Sequence, residues 1–418
     1  MSTAALLLLL APLTVQQKQA NIASFEQVWK TVRDTHWEPQ LGGIDWQGAH
    51  DELRPAIEKA ETMDQARDVM RSLLSRLQRS HYGILPAEVY TDVDGDGVMR
   101  GAGRTGMDVR VVDGRALVTA VEAGTPAAAR NIQPGWEIVA VAGKDIAPSL
   151  ARISETYKAS TQRDMILMRS VYGRLTGAPG DRTSVRFLDG NGRTVDLEVS
   201  FTDPKGKSAR FGNLPVQHVW IESRKLPGGA GWIGFNLFLD PARLMAAFED
   251  AVKSFAGAPG IVVDLRGNPG GIGLMAMGMA GWFIEEGEQP LGAMQMRQAP
   301  LRFVVNPRFP QFKGKLAILI DGCSASTSEI FAGGMKDLGR ARVFGTRSAG
   351  AALPSVIDKL PNGDGFQYAT ANYISKGGKP LEGIGVLPDV EAKPSRDSLL
   401  AGRDAALDAA LQWIHQKN

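Results

Sequence analysis

A short turn rich in small and hydroxyl residues is the part of this sequence best suited to chemistry. It reads Asp321-Gly-Cys-Ser-Ala-Ser-Thr-Ser-Glu329, between the apolar run 316–320 and the amphipathic segment 330–338. This order predicts a buried strand, a tight turn and a helix, which together present a hydroxyl at a helix N-terminus. The unpaired N–H groups and the positive end of the helix dipole can stabilise an oxyanion there. We therefore expect Ser326 to be a nucleophile.

Two further motifs fit with this turn. Asp264-Leu-Arg-Gly-Asn-Pro-Gly-Gly271 ends a predicted strand in a glycine-rich turn, where backbone N–H groups can approach a substrate closely. The third motif is Leu381-Glu-Gly-Ile-Gly-Val-Leu-Pro-Asp389. A serine hydroxyl is a weak nucleophile unless a base accepts its proton, so the position of that base decides the chemistry.

In this order, "DLRGNPGG", "SASTSE" and "EGIGVLPD" resemble the C-terminal processing (tail-specific) peptidases. These are serine peptidases with an α/β, crotonase-like core and an inserted PDZ domain. The resemblance implies that Ser326 is the nucleophile, with an oxyanion hole formed by the N–H groups of Thr327 and of the Gly270-Gly271 turn. It also implies a peptide or protein substrate, with no metal and no organic cofactor.

The branch of the family that uses a Ser–Lys dyad fits less well. The lysine position falls on Ala351, and the nearby Arg347 is a poor base because a guanidinium stays protonated. The tricorn-core-like branch, with a Ser–His–Ser–Glu arrangement, fits better. It implies that His81 is the general base, oriented by Ser80 and supported by Glu382.

Two alternatives remain open. One is a peptidase that uses a relocated lysine, such as Lys376 or Lys379. The other is a non-catalytic relative that binds a lipophilic ligand or a peptide. By position alone, His81 is also an ordinary residue at the C-terminal end of a helix, since the helical pattern from Thr62 to Leu77 is followed by a glycine stop at Gly83.

The rest of the chain suggests three domains after a leader. Residues 1–20 contain the apolar run 4–15 and predict a signal peptide, hence export to the periplasm or secretion. Residues 21–90 are expected to be helical, residues 101–203 to form a PDZ-like β domain, and residues 210–418 to form the crotonase-like core. Within these domains, Asp113-Gly114 is typical of a hairpin turn, Asp240-Pro241 predicts the start of a helix, and residues 399–414 predict a terminal helix. By the same resemblance, Arg104-Thr-Gly-Met107 would bind the C-terminus of a peptide by strand addition.

Composition narrows the classes of function. The formal net charge of +2 is too small to indicate a nucleic-acid partner, and the single Cys323 can form neither an intrachain disulfide nor a cysteine-based zinc site. The segment 92–97 begins like a calcium loop, but Gly103 stands where an EF-hand needs glutamate, so we expect an acidic turn. No later segment is apolar enough to span a membrane, and the oligomeric state is left open.

Overall fold

The computed structural model describes residues 12–91 and 102–416 of the chain. The N-terminal region is a set of helices packed around its own apolar core. Each long helix begins after a side chain that accepts a backbone N–H hydrogen bond, namely Thr14, Asp45 and Thr62. The elements are α1 Val15–Thr35, α2 Trp46–Lys59, α3 Met63–Ser75, β1 Gly83–Leu85 and α4 Glu88–Thr91. Among the described helices, none is both long and apolar enough to cross a bilayer.

Next comes a β domain, which we define as residues 103–200. Its main sheet is antiparallel in the order β3-β4-β5-β8-β9, with β6 paired to β5 and β3 at the edge. Asp113 and Gly114, at the predicted first hairpin, have φ of 51° and 77°, as a tight turn with two left-handed residues requires. The elements are β2 Gly103–Arg104, β3 Met107–Val112, β4 Arg115–Val121, α5 Pro126–Ala129, β5 Glu137–Val141, β6 Lys144–Asp145, α6 Ala147–Thr156, α7 Arg163–Tyr172, β7 Thr176–Gly177, β8 Arg182–Leu188 and β9 Thr194–Ser200.

The core domain is α/β, as predicted. Its central sheet has the order β12-β13-β14-β17-β18-β22, and every pair from β13 onward is parallel. The elements are β10 Lys207–Ala209, β11 Gln217–Val219, β12 Ile221–Lys225, β13 Gly231–Phe235, α8 Pro241–Ser254, β14 Gly260–Asp264, α9 Gly273–Ala280, β15 Gln289–Met296, β16 Leu301–Val305, β17 Lys315–Ile320, α10 Thr327–Asp337, β18 Ala341–Gly345, β19 Ser355–Lys359, β20 Gly365–Ala369, β21 Ala371–Ser375, β22 Val390–Glu391, α11 Arg396–Leu400 and α12 Ala405–His415.

Both faces of the central sheet are covered, which explains its continuous apolar strands. Successive residues of a strand point to opposite faces. Thus Ile261 and Val263 of β14 pack in the cluster that contains α8 to α10, while Val262 packs in the cluster that contains α12. Parallel strands end at the same edge, so the turns after β14 and β17 are neighbours.

The N-terminal region is fastened to the core domain next to the predicted base. Strand β1 pairs antiparallel with β20, in a small sheet of the order β1-β20-β19. The guanidinium of Arg67, 2% exposed, donates two hydrogen bonds to the fully buried carboxylate of Asp364. Burial of an ion pair with several hydrogen bonds makes its loss costly, so this contact holds the two regions together.

Two predicted helix ends are wrong. Helix α3 ends at Ser75, and Gly83 is the first residue of β1 rather than a helix stop. The chain needs left-handed residues to turn from the helix into that strand, and Gln78 and His81 supply them with φ of 49° and 59°. The predicted terminal helix 399–414 is instead two helices, α11 and α12, separated by a turn with Gly402 at φ 66°.

Candidate active site

Ser326 lies between β17 and α10, in the turn that we call the serine turn (residues 321–326). Its φ of 54° and ψ of −118° place a residue with a side chain in the left-handed region, a costly conformation that is characteristic of functional turns. The glycine-rich turn after β14 packs directly against it. A Cβ atom on Gly270 would lie 2.7 Å from Ser326 Cβ, so this position requires glycine.

A buried carboxylate stabilises the serine turn. Glu329 is fully buried and accepts hydrogen bonds from the N–H groups of Ser326 (2.9 Å), Gly350 (2.8 Å) and Ala351 (3.0 Å). The hydroxyl of Ser348 donates a fourth bond at 2.6 Å. Burial raises the pKa of Glu329 to about 7, while these four donors act in the opposite direction. Glu329 was not predicted as a site residue, although Ser326-Thr-Ser-Glu329 has the spacing of a capping box.

Backbone donors for an oxyanion are present beside Ser326. Within residues 12–91 and 102–416, no acceptor is hydrogen-bonded to the N–H of Thr327 or of Gly271. The N–H of Gly270, by contrast, donates to Asn268 Oδ1 at 2.9 Å. Of the two glycines in the predicted oxyanion turn, Gly271 is therefore the one with a free donor.

The predicted base, its serine and its glutamate come together in one network. Ser80 Oγ lies 2.7 Å from His81 Nδ1 and 2.7 Å from Glu382 Oε2, and the N–H of Ser80 donates to Glu382 Oε1 at 2.7 Å. A hydroxyl has one hydrogen and a carboxylate only accepts, so Ser80 donates to Glu382 and accepts from Nδ1–H. Nε2 of His81 is then left as a proton acceptor.

One loop connects this network to the serine turn. Two adjacent N–H groups of the linking loop (residues 346–352) donate to the two glutamates, Ala351 to Glu329 and Ala352 to Glu382, each at 3.0 Å. The carbonyl of Ala351 also accepts from the N–H of Ser326 at 2.8 Å. The base and the serine are therefore brought to the same side of the molecule by a shared backbone segment.

Ser326 and His81 both lie in the described part of the chain, and no hydrogen bond joins Ser326 Oγ to His81 Nε2. Burial and, second, the positive charge of Arg169 lower the pKa of His81 to about 4, so its imidazole is neutral at pH 7. Arg169 belongs to α7 of the β domain, whose Met165 packs with Cys323, Ala325, Ala349 and Ala351.

The other predicted residues lie away from this network. Arg104 forms an ion pair with Glu122, and Thr105 is buried. Gly106 and Met107, at the start of β3, line a cavity of about 910 Å³ between the β domain and the core domain. Lys376 and Lys379 are exposed, and neither is hydrogen-bonded to the serine turn. Residues 1–11 and the acidic segment 92–97 lie outside the described residues. Within the described ranges, no group of three or more His, Cys, Asp or Glu is placed to hold a metal ion.

Two family models match parts of the chain. Residues 231–392, which contain the serine turn, the glycine-rich turn and Glu382, match Peptidase family S41, and this match covers less than half of the chain. Residues 21–75, which precede His81, match the Tricorn protease C1 domain.

Individual curated proteins are also similar to this chain. The probable CtpA-like serine protease of Staphylococcus epidermidis is 28% identical over 251 residues, 59% of this chain and 50% of that protein. Its Staphylococcus aureus counterpart is 26% identical over 258 residues, 55% of this chain and 50% of that protein. The chain thus spans about half the length of the curated relatives it matches. Both relatives carry the description of a probable serine protease.

Solved structures share the fold of this chain. The photosystem II D1 C-terminal processing protease has a TM-score of 0.57 at 21% identity, covering 94% of this chain and 99% of that one. Mature CPAF has a TM-score of 0.64 at 14% identity, covering 95% and 96%. The likeness extends over the N-terminal region and the β domain as well as the core domain.

Proposed function

We propose that this protein is a serine endopeptidase of the Ser–His–Ser–Glu type, with Ser326 as nucleophile and His81 as general base. The observation that carries this proposal is the network of His81, Ser80 and Glu382, joined to the serine turn by the linking loop. A hydroxyl and a carboxylate aligned behind one ring nitrogen orient the imidazole, as the third member of a catalytic triad does, and a histidine with only a structural role does not require them.

The proposed reaction is acyl transfer. His81 Nε2 accepts the proton of Ser326 Oγ as the oxygen attacks the peptide carbonyl, and Nδ1–H remains hydrogen-bonded to Ser80. The N–H groups of Thr327 and Gly271 stabilise the oxyanion. The imidazolium then returns the proton to the leaving amine, and water hydrolyses the acyl-enzyme by the same steps.

The β domain is proposed to be PDZ-like and to bind the C-terminus of a peptide along β3. In its favour, β3 is an edge strand, whose unpaired backbone groups suit strand addition. The hydroxyl of Tyr172 in α7 now accepts from the N–H of Val109 in β3, at 3.0 Å. The same helix packs Met165 on the serine turn. A peptide that replaces Tyr172 at β3 would therefore shift α7 and change the docking at the active site.

A fluorophosphonate probe tests the catalytic proposal. We expect the wild type to be labelled, and both Ser326→Ala and His81→Ala to lose the label. His218→Ala, which removes a histidine from β11, is the matched control and should be labelled normally. Absence of wild-type labelling from about pH 6 to 9, well above the pKa of the base, contradicts the enzyme and favours a non-catalytic binding relative.

The relocated-lysine alternative makes a different prediction. A peptidase that used Lys376 or Lys379 would keep its labelling in His81→Ala and become more active at alkaline pH, where an amine is deprotonated.

The predicted signal peptide, residues 1–20 with the apolar run 4–15, is proposed to direct export to the periplasm or outside the cell. Fractionation of cells that express the full chain checks this location.

A further inference from the structure

Helix α7 of the β domain lies over the serine turn. Met165 is buried among alanines of the serine turn and the linking loop, and Met168 packs against the same group. The residues just before α7 also lie close to the linking loop, since a Cβ atom on Gly350 would lie 2.5 Å from Thr161 Oγ1. Residues four apart share one face of a helix, so Arg169 projects from the same side as Met165.

Arg169 is a cation without a counterion at this place. In the part of the chain that the structure describes, its guanidinium forms no hydrogen bond and no ion pair. Two other arginines of this region instead form ion pairs, Arg110 with Asp321 and Arg266 with Asp404. The head of Arg169 is open to solvent, and its charge reaches the imidazole of His81.

The exposed guanidinium of Arg169 has no acceptor among the described residues, so it is free to bind an anion from solvent. A carboxylate that enters the site can form two parallel hydrogen bonds with such a group, and each bond is strengthened by charge. An anion at this position would also offset the positive charge beside His81 as its imidazole takes up a proton.

We propose that Arg169 binds a carboxylate of the substrate next to the scissile bond, so that the enzyme selects peptides with an acidic side chain or a free C-terminus there. This inference rests on the proposed peptidase function. Arg79 is also unpaired within the described residues and lies two positions before His81, but it shares a cavity of about 510 Å³ with Glu38 and Glu382. These carboxylates would repel a substrate anion, which favours Arg169 as the binding group.

Matched peptides test the proposal by their kcat/KM. One series differs only by Asp against Asn at positions flanking the cleavage site, and a second only by a free against an amidated C-terminus. We expect the wild type to prefer the carboxylate in one series by about 10- to 100-fold, the contribution of a charged hydrogen-bonded pair. The series that shows the preference identifies the source of the carboxylate.

Variants then assign the preference to one side chain. Arg169→Ala should abolish it by slowing only the carboxylate peptide, and Arg169→Glu should reverse it toward a peptide with Lys at that position. Arg163→Ala removes an exposed cation from the same helix and is the matched control, with the preference unchanged. Equal slowing or equal acceleration of all peptides by Arg169→Ala contradicts the proposal, because it shows only a structural or covering role for α7.

A binding readout separates this proposal from the peptidase itself. Fluorescence anisotropy with the preferred carboxylate peptide is measured on Ser326→Ala protein, which needs no catalysis. Adding Arg169→Ala should weaken the affinity about 10-fold or more, whereas adding Arg163→Ala should not. If the wild type reacts with the fluorophosphonate probe but this affinity difference is absent, the peptidase stands and the carboxylate site is wrong.

Discussion

Glu329 and Glu382 stabilise the two halves of the candidate site in different ways. Glu329 bonds to neighbours within the core domain and supports the serine turn and the linking loop. Glu382 reaches across to the N-terminal region and supports the residue behind the base. The comparison teaches that the proposed nucleophile is positioned within one domain, whereas the proposed base is positioned by the docking of another region.

The largest effect should follow removal of the Glu329 carboxylate. Glu329→Leu leaves three buried donors without an acceptor, the N–H groups of Gly350 and Ala351 and the hydroxyl of Ser348, so we expect a loss of about 4 kcal/mol in the free energy of unfolding, together with loss of activity. Urea denaturation and peptide hydrolysis measure the two quantities. Glu329→Gln, which keeps one oxygen, should be milder. An unchanged free energy of unfolding in Glu329→Leu would contradict the structural role that distinguishes Glu329 from Glu382.

Removal of Glu382 should affect catalysis more than stability. In Glu382→Ala the hydroxyl of Ser80 loses its acceptor and no longer orients the imidazole, so we expect kcat to fall about 100-fold with a smaller change in KM. The free energy of unfolding should fall by no more than about 2 kcal/mol, since Glu382 is half-buried. If unfolding shifts as much as in Glu329→Leu, the two glutamates have the same role.

A smaller effect is expected for Ser80 itself. Ser80→Ala removes the hydroxyl between Glu382 and His81 Nδ1, and loss of an orienting partner behind a histidine costs about 10-fold in kcat. The measurement is steady-state hydrolysis, with Ser75→Ala as control because its hydroxyl bonds only to the carbonyl of Ser72 in the same helix. A faster rate in Ser80→Ala would rule out the orienting role.

The smallest effect concerns pH. Burial and the charge of Arg169 lower the pKa of His81 to about 4, so the base stays neutral and kcat/KM should fall only as pH drops toward that value. Arg169→Ala removes a charge that disfavours imidazolium, so the acid limb should move to higher pH. A limb that stays in place shows that burial alone sets the pKa of His81.

Much of the fold was accessible from residue patterns. The hairpin at Asp113-Gly114, the helix after Asp240-Pro241 and the strand before the serine turn all form as predicted, because turn residues, caps and apolar runs act locally. The end of α3 was predicted wrongly, since the pairing of β1 with β20 draws the chain out of the helix.

For the site, the prediction joined Ser80, His81 and Glu382 through family resemblance, and the structure places them within hydrogen-bond distance of one another. It overlooked Glu329, whose role depends on donors from a loop about twenty residues later in the chain. It also gave no reason to expect Arg169 near His81, because that contact depends on how α7 packs against the core domain.

Sequence by itself determined the serine turn, since the apolar strand, the small residues and the helix are consecutive and their preferences are short-range. Tertiary structure alone decided that His81, 245 positions earlier, belongs to a network that Glu382 joins to the loop bonded to Ser326, through the β1–β20 pairing and the Arg67–Asp364 ion pair. The physical reason is that hydrogen bonds and ion pairs between distant segments form only after the regions dock, and spacing along the chain does not encode their geometry.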